Sequence, residues 1–127
     1  NDLDMFGELR TAALLAKAVA GDTTALGATA ALHAATLGGA KALGLDSEIG
    51  SLVAGKSADF IAVDLSRAAT QPVYNVLSQL VYAVSRDQVS DVFVAGRALL
   101  RSNQFTTLDE TALLANAQQW RDKIGSA

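Results

Sequence analysis

The sequence predicts a fold in which helices and strands follow one another in separate runs, locally an α+β arrangement. Apolar residues recur at helical spacing in the first third of the chain, alternate along the middle third, and return to helical spacing near the end. Helices followed by strands indicate parts of two layers or two domains, and not a doubly wound sheet. The length of 127 residues is enough for one small domain with its own core.

The first predicted helix covers residues 3–20. Its apolar stripe has spacings of three and four residues, and Asp2 and Asp4 suit the positive N-terminal end of a helix. Gly21 ends it. The stripe consists of Met5, Leu9, Ala12, Ala16 and Val19.

A second helix is predicted over residues 29–43. The segment is rich in alanine, which fits close packing against another layer. We expect an interruption near Gly38 and Gly39 and an end at Gly44.

Two hairpins are predicted in the middle of the chain. In the first, residues 49–53 form a strand, residues 54–56 turn, and residues 58–64 return. In the second, residues 92–95 and 97–100 flank Gly96. Between the hairpins we expect a loop over residues 68–79, with the single proline at Pro72, and a strand over residues 80–84.

The last predicted helix covers residues 107–124. Thr107 and Glu110 match the pattern of a capping box, and Gly125 follows as a stop signal. One apolar stripe runs along it, made of Leu113, Ala117, Trp120 and Ile124.

Composition excludes several classes of protein. Half of the residues are hydrophobic, which argues against disorder. The net charge of −3, without a basic block, argues against nucleic acid or an anionic membrane as partner. The lack of cysteine excludes disulfides and thiolate metal sites. No apolar run reaches transmembrane length and no signal peptide is visible, so we expect a soluble cytoplasmic protein.

Few residues point to catalysis. His33 is the only histidine, whereas a zinc site takes several converging ligands, so we interpret it as a structural helix residue. Carboxylates occur close together as Asp2 with Asp4 and as Asp59 with Asp64, and paired carboxylates can perform acid–base chemistry. Their places at a helix start and around a strand favour capping and turn roles instead.

The remaining polar candidates are also interpreted structurally. Lys56 follows Gly55 in a turn, so we expect a solvated lysine and no phosphate site. No glycine pattern of a nucleotide-binding loop occurs, and the serines have no histidine partner in a nucleophile arrangement. We therefore predict no catalytic, cofactor-binding or metal-ligating residue in this chain.

Four segments taken together resemble the amidohydrolase superfamily of metal-dependent hydrolases. They are NDLDMFGELRTAALLAK at 1–17, AATLGGAKALGL at 34–45, IGSLVAGKSADFIAVDL at 49–65 and QPVYNVLSQLVYAVSRDQVSDVFVAGRALL at 71–100. Within the superfamily they are most similar to the methylthioadenosine/S-adenosylhomocysteine deaminases and to the triazine and N-ethylammeline chlorohydrolases.

The resemblance implies an α/β fold, a (β/α)8 barrel plus a β-sandwich assembled from both chain ends. Residues 1–45 then correspond to the last barrel helices, residues 46–105 to the C-terminal sandwich strands, and residues 106–127 to a helix that packs back on the body. A barrel needs roughly 250 residues, so most of it is missing from this chain.

The resemblance also implies the chemistry of the intact protein. A divalent ion, usually zinc, activates water that expels ammonia or chloride from a purine- or triazine-like ring. The family's ligands, a His-x-His pair, two further histidines and an aspartate, match no position here, and residues 1–5 at most edge the pocket. We therefore expect this chain to bind no metal and to be inactive alone.

The expected partners follow from the same resemblance. They are the missing N-terminal part of the barrel, a small-molecule substrate and further copies in a homo-oligomer, but neither nucleic acid nor membrane. Apolar surface that the barrel covers, for example at Met5, Leu9 and Val19, is expected to be exposed in this chain. The alternative is a free-standing, non-catalytic interaction module with the same fold.

Overall fold

The computed structural model describes residues 3–125 and contains a helical layer, a small sheet and a C-terminal helix. Asn1 and Asp2, for which roles at the helix start and pocket edge are predicted, lie outside the described residues. The helices are α1 Met5–Ala20, α2 Ala28–His33, α3 Gly39–Ala42, α4 Val76–Tyr82 and α5 Glu110–Gly125; the strands are β1 Phe60–Val63, β2 Val89–Val94, β3 Arg97–Arg101 and β4 Gln104–Phe105.

The first predicted helix is confirmed as α1, beginning two residues later than expected. Asp4 is its N-cap, and the carboxylate accepts hydrogen bonds of 3.1 Å from the backbone N–H groups of Phe6 and Gly7. Gly21 ends the helix in the left-handed conformation at φ 60°.

The second predicted helix is confirmed, but it is not broken at the two glycines. A π-helical segment, Ala34–Gly38, joins α2 to α3. A Cβ at Gly38 would lie 3.1 Å from the His33 carbonyl oxygen, so a small residue fits best inside this wider turn. The expected interruption is therefore a local change of helical winding.

The predicted strand at residues 49–53 is wrong, because this segment forms turns that fold back on the helix before it. Gly50 has φ +85°, and a Cβ there would lie 2.6 Å from the Ala40 Cβ. The Lys56 ammonium donates hydrogen bonds to the carbonyl oxygens of Asp46 and Ile49. These contacts use the polar groups of the segment locally, so it does not pair with β1.

The sheet is a four-stranded antiparallel meander in the order β1-β2-β3-β4. The hairpin around Gly96 is confirmed: Ala95 and Gly96 have φ values of 50° and 76°, as a two-residue type I′ turn requires. Strand β4 lies beyond every predicted strand. Cross-strand partners Ile61, Val92, Leu100 and Phe105 form an apolar row across all four strands.

The predicted strand at residues 80–84 is wrong, because the segment belongs to α4 and the turn after it. The loop predicted over residues 68–79 is wrong in part: Ala68–Thr70 forms a 3-10 turn, and α4 begins at Val76. Asn75 starts α4 by accepting a hydrogen bond of 2.9 Å from the Ser78 N–H. Val81 packs in the helical core with Leu9, Ala13 and Ala31, and this burial outweighs the β-propensity of the stretch.

The core lies between α1, α2 and α4. Leu9, Ala13, Ala31 and Val81 are its buried members. Arg10 links two of these helices, since its guanidinium donates hydrogen bonds to the carbonyl oxygens of Val81 at 3.4 Å and Val84 at 2.5 Å. These bonds satisfy acceptors at the C-terminal end of α4.

A buried polar centre formed by Gln88 and Thr70 connects the helical layer to the sheet. The Gln88 amide donates to the Asp64 carbonyl oxygen at 2.7 Å and to the Thr70 hydroxyl oxygen at 3.2 Å. The Gln79 amide donates to the Thr70 carbonyl oxygen at 2.8 Å, which extends the centre to α4. Both central side chains are buried, so these bonds fix the end of β1 against the helices.

Helix α5 confirms the last predicted helix but not its cap. It begins at Glu110, and the Asp109 carboxylate accepts a hydrogen bond of 3.0 Å from the Ala112 N–H, so Thr107 is not its N-cap. Every residue from Arg101 to Gly125 is exposed. The expected packing of this helix on the body is therefore not made within the described chain.

Helices of residues 3–125 are all too short or too polar to cross a membrane.

We expect Gln88→Ala to destabilise the protein by about 2–4 kcal/mol, because it leaves buried polar groups at Asp64 and Thr70 without their donor. Urea unfolding of both proteins measures the difference. Gln118→Ala, on the exposed surface of α5, is the matched control and should change stability by less than about 0.5 kcal/mol. Equal effects of the two substitutions would contradict the role of Gln88.

We expect Gly50→Ala to cost more stability than Gly55→Ala. Both glycines have positive φ, +85° and +93°, so both substitutions incur the left-handed backbone penalty of about 1–2 kcal/mol. Only at Gly50 does the new Cβ meet Ala40, whereas no atom lies within 4 Å at Gly55. Chemical denaturation of both variants should therefore give a lower free energy of unfolding for Gly50→Ala than for Gly55→Ala. The reverse order would refute the close approach of Gly50 to α3.

Candidate functional site

Two adjoining hollows lie at the start of α1. One, of about 250 Å³, opens between α1 and α2; its lining consists of Met5, Glu8, Leu9, Ala12, Leu26, Ala31, Ala34 and Ala35. The other, of about 370 Å³, is lined by Leu3, Asp4, Met5 and Glu8. Because Met5 and Glu8 line both, we treat the hollows together as the N-terminal crevice.

The N-terminal crevice has mostly apolar walls and two carboxylates. Asp4 is engaged as the N-cap of α1. Glu8 lies in the first turn of the same helix and is exposed. One exposed carboxylate beside apolar walls can accept hydrogen bonds from the polar edge of a small molecule, but by itself it does not assemble a hydrolytic centre.

The described residues do not fit a zinc site. Residues 3–125 hold no group of three or more His, Cys, Asp or Glu side chains that could bind one ion. His33 is exposed at the junction of α2 and the π-helical segment. The prediction that the chain contains no metal ligand stays a prediction, because Asn1, Asp2 and the last two residues are outside the described part.

The candidate carboxylate pair in the sheet is not a pair. The Asp59 carboxylate accepts a hydrogen bond of 2.6 Å from the Ala95 N–H, which fixes the hairpin turn beside β1. The Asp64 carboxylate lies past the other end of β1 and accepts hydrogen bonds from the Ser66 N–H and hydroxyl, at 2.8 and 2.6 Å. Both act as local backbone acceptors, as the sequence predicts.

Asp64 is also electrostatically unsuited to proton transfer near neutral pH. Hydrogen bonds from the Ser66 hydroxyl, then from its backbone N–H, hold the pKa of the Asp64 carboxyl below its usual value of 3.8, and Arg67 acts in the same direction. A general base works best with a pKa near the operating pH, so a lowered pKa indicates a structural carboxylate.

Lys56 is not the solvated turn residue that the sequence predicts. Its side chain is half-buried, and its ammonium fixes the turn after α3 through the two carbonyl oxygens described above. The Ser85 side chain also has a structural role. Its hydroxyl donates a hydrogen bond to the Asp87 carboxylate and helps to hold the pKa of that carboxyl below its usual value.

Comparison with known proteins defines the class of protein. Residues 1–99 match the model of the amidohydrolase family, and the chain belongs to that family.

Two similar curated relatives carry the same enzyme name. The chain is 51% identical over 126 residues to the 5-methylthioadenosine/S-adenosylhomocysteine deaminase of Teredinibacter turnerae, covering 99% of this chain and 28% of the relative. It is 48% identical to the enzyme of the same name from Moorella thermoacetica, covering 91% of this chain and 27% of that protein. The chain thus spans little more than a quarter of the curated relatives it matches.

Two solved structures of amidohydrolase-type enzymes superpose on this chain. A zinc-bound adenosine deaminase from Xanthomonas campestris superposes with a TM-score of 0.96 at 57% identity, over 100% of this chain and 29% of that protein. The zinc complex of an atrazine chlorohydrolase from Arthrobacter aurescens superposes with a TM-score of 0.81 at 28% identity, over 90% of this chain and 25% of the chlorohydrolase. The resemblance to deaminases and triazine hydrolases is therefore confirmed.

The sequence interpretation missed the N-terminal crevice. Glu8 reads only as the acidic first turn of a helix, and its neighbours in the crevice, Leu26 and Ala31, are about 20 residues away. The signal that was available is the combination of a small-residue face on the second helix with large apolar residues at the start of the first.

We expect stability to fall as the pH drops below about 4, and Asp64→Asn to flatten that dependence. Because the pKa of Asp64 is lower in the folded than in the unfolded state, its contribution is complete above the unfolded pKa and is lost as the pH falls through the folded pKa. Urea unfolding of both proteins at pH 7, 4 and 3 measures how the free energy of unfolding depends on pH. Asp122→Asn, at an exposed position of α5, is the control; an unchanged profile for Asp64→Asn would refute the prediction.

Proposed function

We propose that this chain is the C-terminal part of a metal-dependent amidohydrolase that hydrolytically deaminates a purine-like ring. The single observation that carries the proposal is the whole-chain superposition on a zinc-bound adenosine deaminase, of which this chain accounts for 29%. The similarity to the methylthioadenosine/S-adenosylhomocysteine deaminases names the substrate class, an adenosine derivative with a thioether at the 5′ position.

In this proposal the chain divides as the resemblance implies. Residues 1–45 are the last helices of a (β/α)8 barrel, residues 46–105 the C-terminal strands of a β-sandwich, and residues 106–127 a C-terminal helix. The separation of the helical layer from the antiparallel sheet supports the boundary between residues 45 and 46. The assignment of residues 46–105 to sandwich strands is supported only in part, because the strands of the sheet do not include residues 49–53.

Exposed apolar surface supports the proposal that the chain is part of a larger fold. Met5 and Val19 of the predicted stripe are 62% and 81% exposed, although Leu9, also expected to be exposed, is buried at 7%. The apolar row of the sheet is only half covered, since Ile61 and Phe105 are 49% and 48% exposed. An independent module of this size would bury such surface, which disfavours the free-standing alternative.

The chain's own contribution to catalysis is structural in this proposal. The described residues contain no group of side chains that could bind zinc, so the metal that the family uses is proposed to bind in the part of the protein that this chain does not span. The N-terminal crevice, with Glu8 at its edge, is proposed to lie beside the substrate pocket. Cytoplasmic location and homo-oligomeric assembly stay predictions.

Triazine dechlorination is the second candidate reaction. The superposition on the atrazine chlorohydrolase supports it, but at 28% identity against 51% for a deaminase relative. The higher identity favours release of ammonia over release of chloride.

We expect the intact protein containing this chain to release ammonia from 5′-methylthioadenosine in the presence of zinc, and the isolated 127-residue chain to release none. A coupled ammonia assay on both proteins, with adenosine and S-adenosylhomocysteine as parallel substrates, measures this. Chloride release from atrazine without ammonia release would favour the second reaction. Turnover by the isolated chain at the rate of the intact protein would overturn the proposal.

A further inference from the structure

The side chain of Arg10 connects α1 to residues 71 and 74 positions further along the chain. Its guanidinium donates hydrogen bonds to the carbonyl oxygens of Val81 at 3.4 Å and of Val84 at 2.5 Å. Both acceptor residues are fully buried, so their carbonyl oxygens depend on donors from within the protein. Arg10 therefore joins the first helix to the end of α4 and to the turn that follows it.

These directed bonds fix the position of α1 along its own axis more closely than its apolar contacts do. Leu9 and Ala13 are the residues of α1 in the helical core. Burial of apolar area has no preferred direction, and an alanine methyl group interlocks little with a facing helix. The guanidinium, in contrast, is a rigid planar fork that meets two acceptors in one geometry. Arg10 therefore determines where α1 lies relative to α4.

The start of α1 moves with the rest of the helix. Glu8 lies in the first turn of α1, and the N-cap Asp4 is only about 9 Å from Arg10 along the helix axis. Met5 and Glu8 line both hollows of the N-terminal crevice, whereas the facing wall comes from α2 and the loop before it. A shift of α1 along its axis therefore displaces one wall of the crevice against the other.

We infer that Arg10 is a positioning residue for substrate binding, which holds the start of α1, and with it the Glu8 edge of the N-terminal crevice, in the place that the substrate requires. The inference rests on the proposed function, in which the crevice lies beside the substrate pocket. Arg10 does not touch the substrate in this role. It acts through the two carbonyl oxygens that fix its helix.

Steady-state kinetics of the intact protein with 5′-methylthioadenosine tests the inference. We expect Arg10→Ala to raise KM at least about fivefold, because a displacement of about 1 Å weakens the positioning of a substrate even when the substitution is remote. Loss of folded protein lowers the apparent kcat and leaves KM unchanged, so KM separates positioning from stability. Guanidinium ion at low millimolar concentration should lower the raised KM of Arg10→Ala, since it supplies the same planar set of donors.

Two variants serve as matched controls. Arg121→Gln removes a guanidinium from an exposed position of α5, and Gly55→Ala strains the backbone of an exposed turn. Both should retain the KM of the wild type, with and without guanidinium ion. Should Arg10→Ala prevent folding, Arg10→Lys decides the question. A lysine ammonium lacks the planar fork, so we expect its KM to rise at least about twofold.

Three results would overturn the inference: a wild-type KM in the folded Arg10 variants, an equal rise of KM in either control, or a KM of Arg10→Ala that guanidinium ion does not lower. A wild-type protein that releases no ammonia contradicts the proposed function instead. Crystal structures of the wild type and Arg10→Ala then test the positioning separately. A shift of the Glu8 Cα of more than about 0.5 Å relative to α2 supports it, and a smaller shift contradicts it.

Discussion

The buried bonds of Gln88 and Thr70 are the constraint on which the arrangement of the two layers depends. Gln88 directly precedes β2, and it donates to the Asp64 carbonyl oxygen just after β1. The same centre reaches α4 through the Gln79 amide. Since buried amides and hydroxyls are costly without partners, the two layers hold one relative position in which every member of this centre is bonded.

The helical layer has a small core of buried residues, whereas none of the residues in the four strands is buried. Leu9, Ala13, Ala31 and Val81 meet at the centre of the helices and are buried. In the sheet, Phe60 of β1 stacks on Phe93 of β2 with ring centroids 4.5 Å apart, and three of the four β1 residues are exposed, whereas most of β2 is partly buried. The helices bury one face among themselves, whereas a sheet with this much exposed apolar surface is stabilised by a second layer.

Three carboxylates of the described residues serve the backbone. Asp4 caps α1, Asp59 holds the turn between β2 and β3, and Asp64 orders the segment after β1. Each accepts hydrogen bonds from nearby N–H groups, and for Asp64 the bonds from the Ser66 hydroxyl and backbone N–H hold the pKa of the carboxyl below its usual value. That these side chains have structural roles agrees with the prediction that the described part of this chain supplies no hydrolytic group.

The amino-acid sequence by itself determined the features that local chemistry controls. The span of α1 followed from its apolar spacing, its acidic cap and Gly21, and the hairpin at Gly96 followed from a two-residue turn that needs positive φ. The family, too, could be identified from short motifs. Tertiary structure alone decided two segments that the sequence predicts as strands. Residues 80–82 are helical because Val81 packs with Leu9, Ala13 and Ala31 of α1 and α2. Residues 49–53 form turns because Gly50 closely approaches Ala40. The N-terminal crevice also needed tertiary structure, because its walls come from two helices and are brought together only by packing.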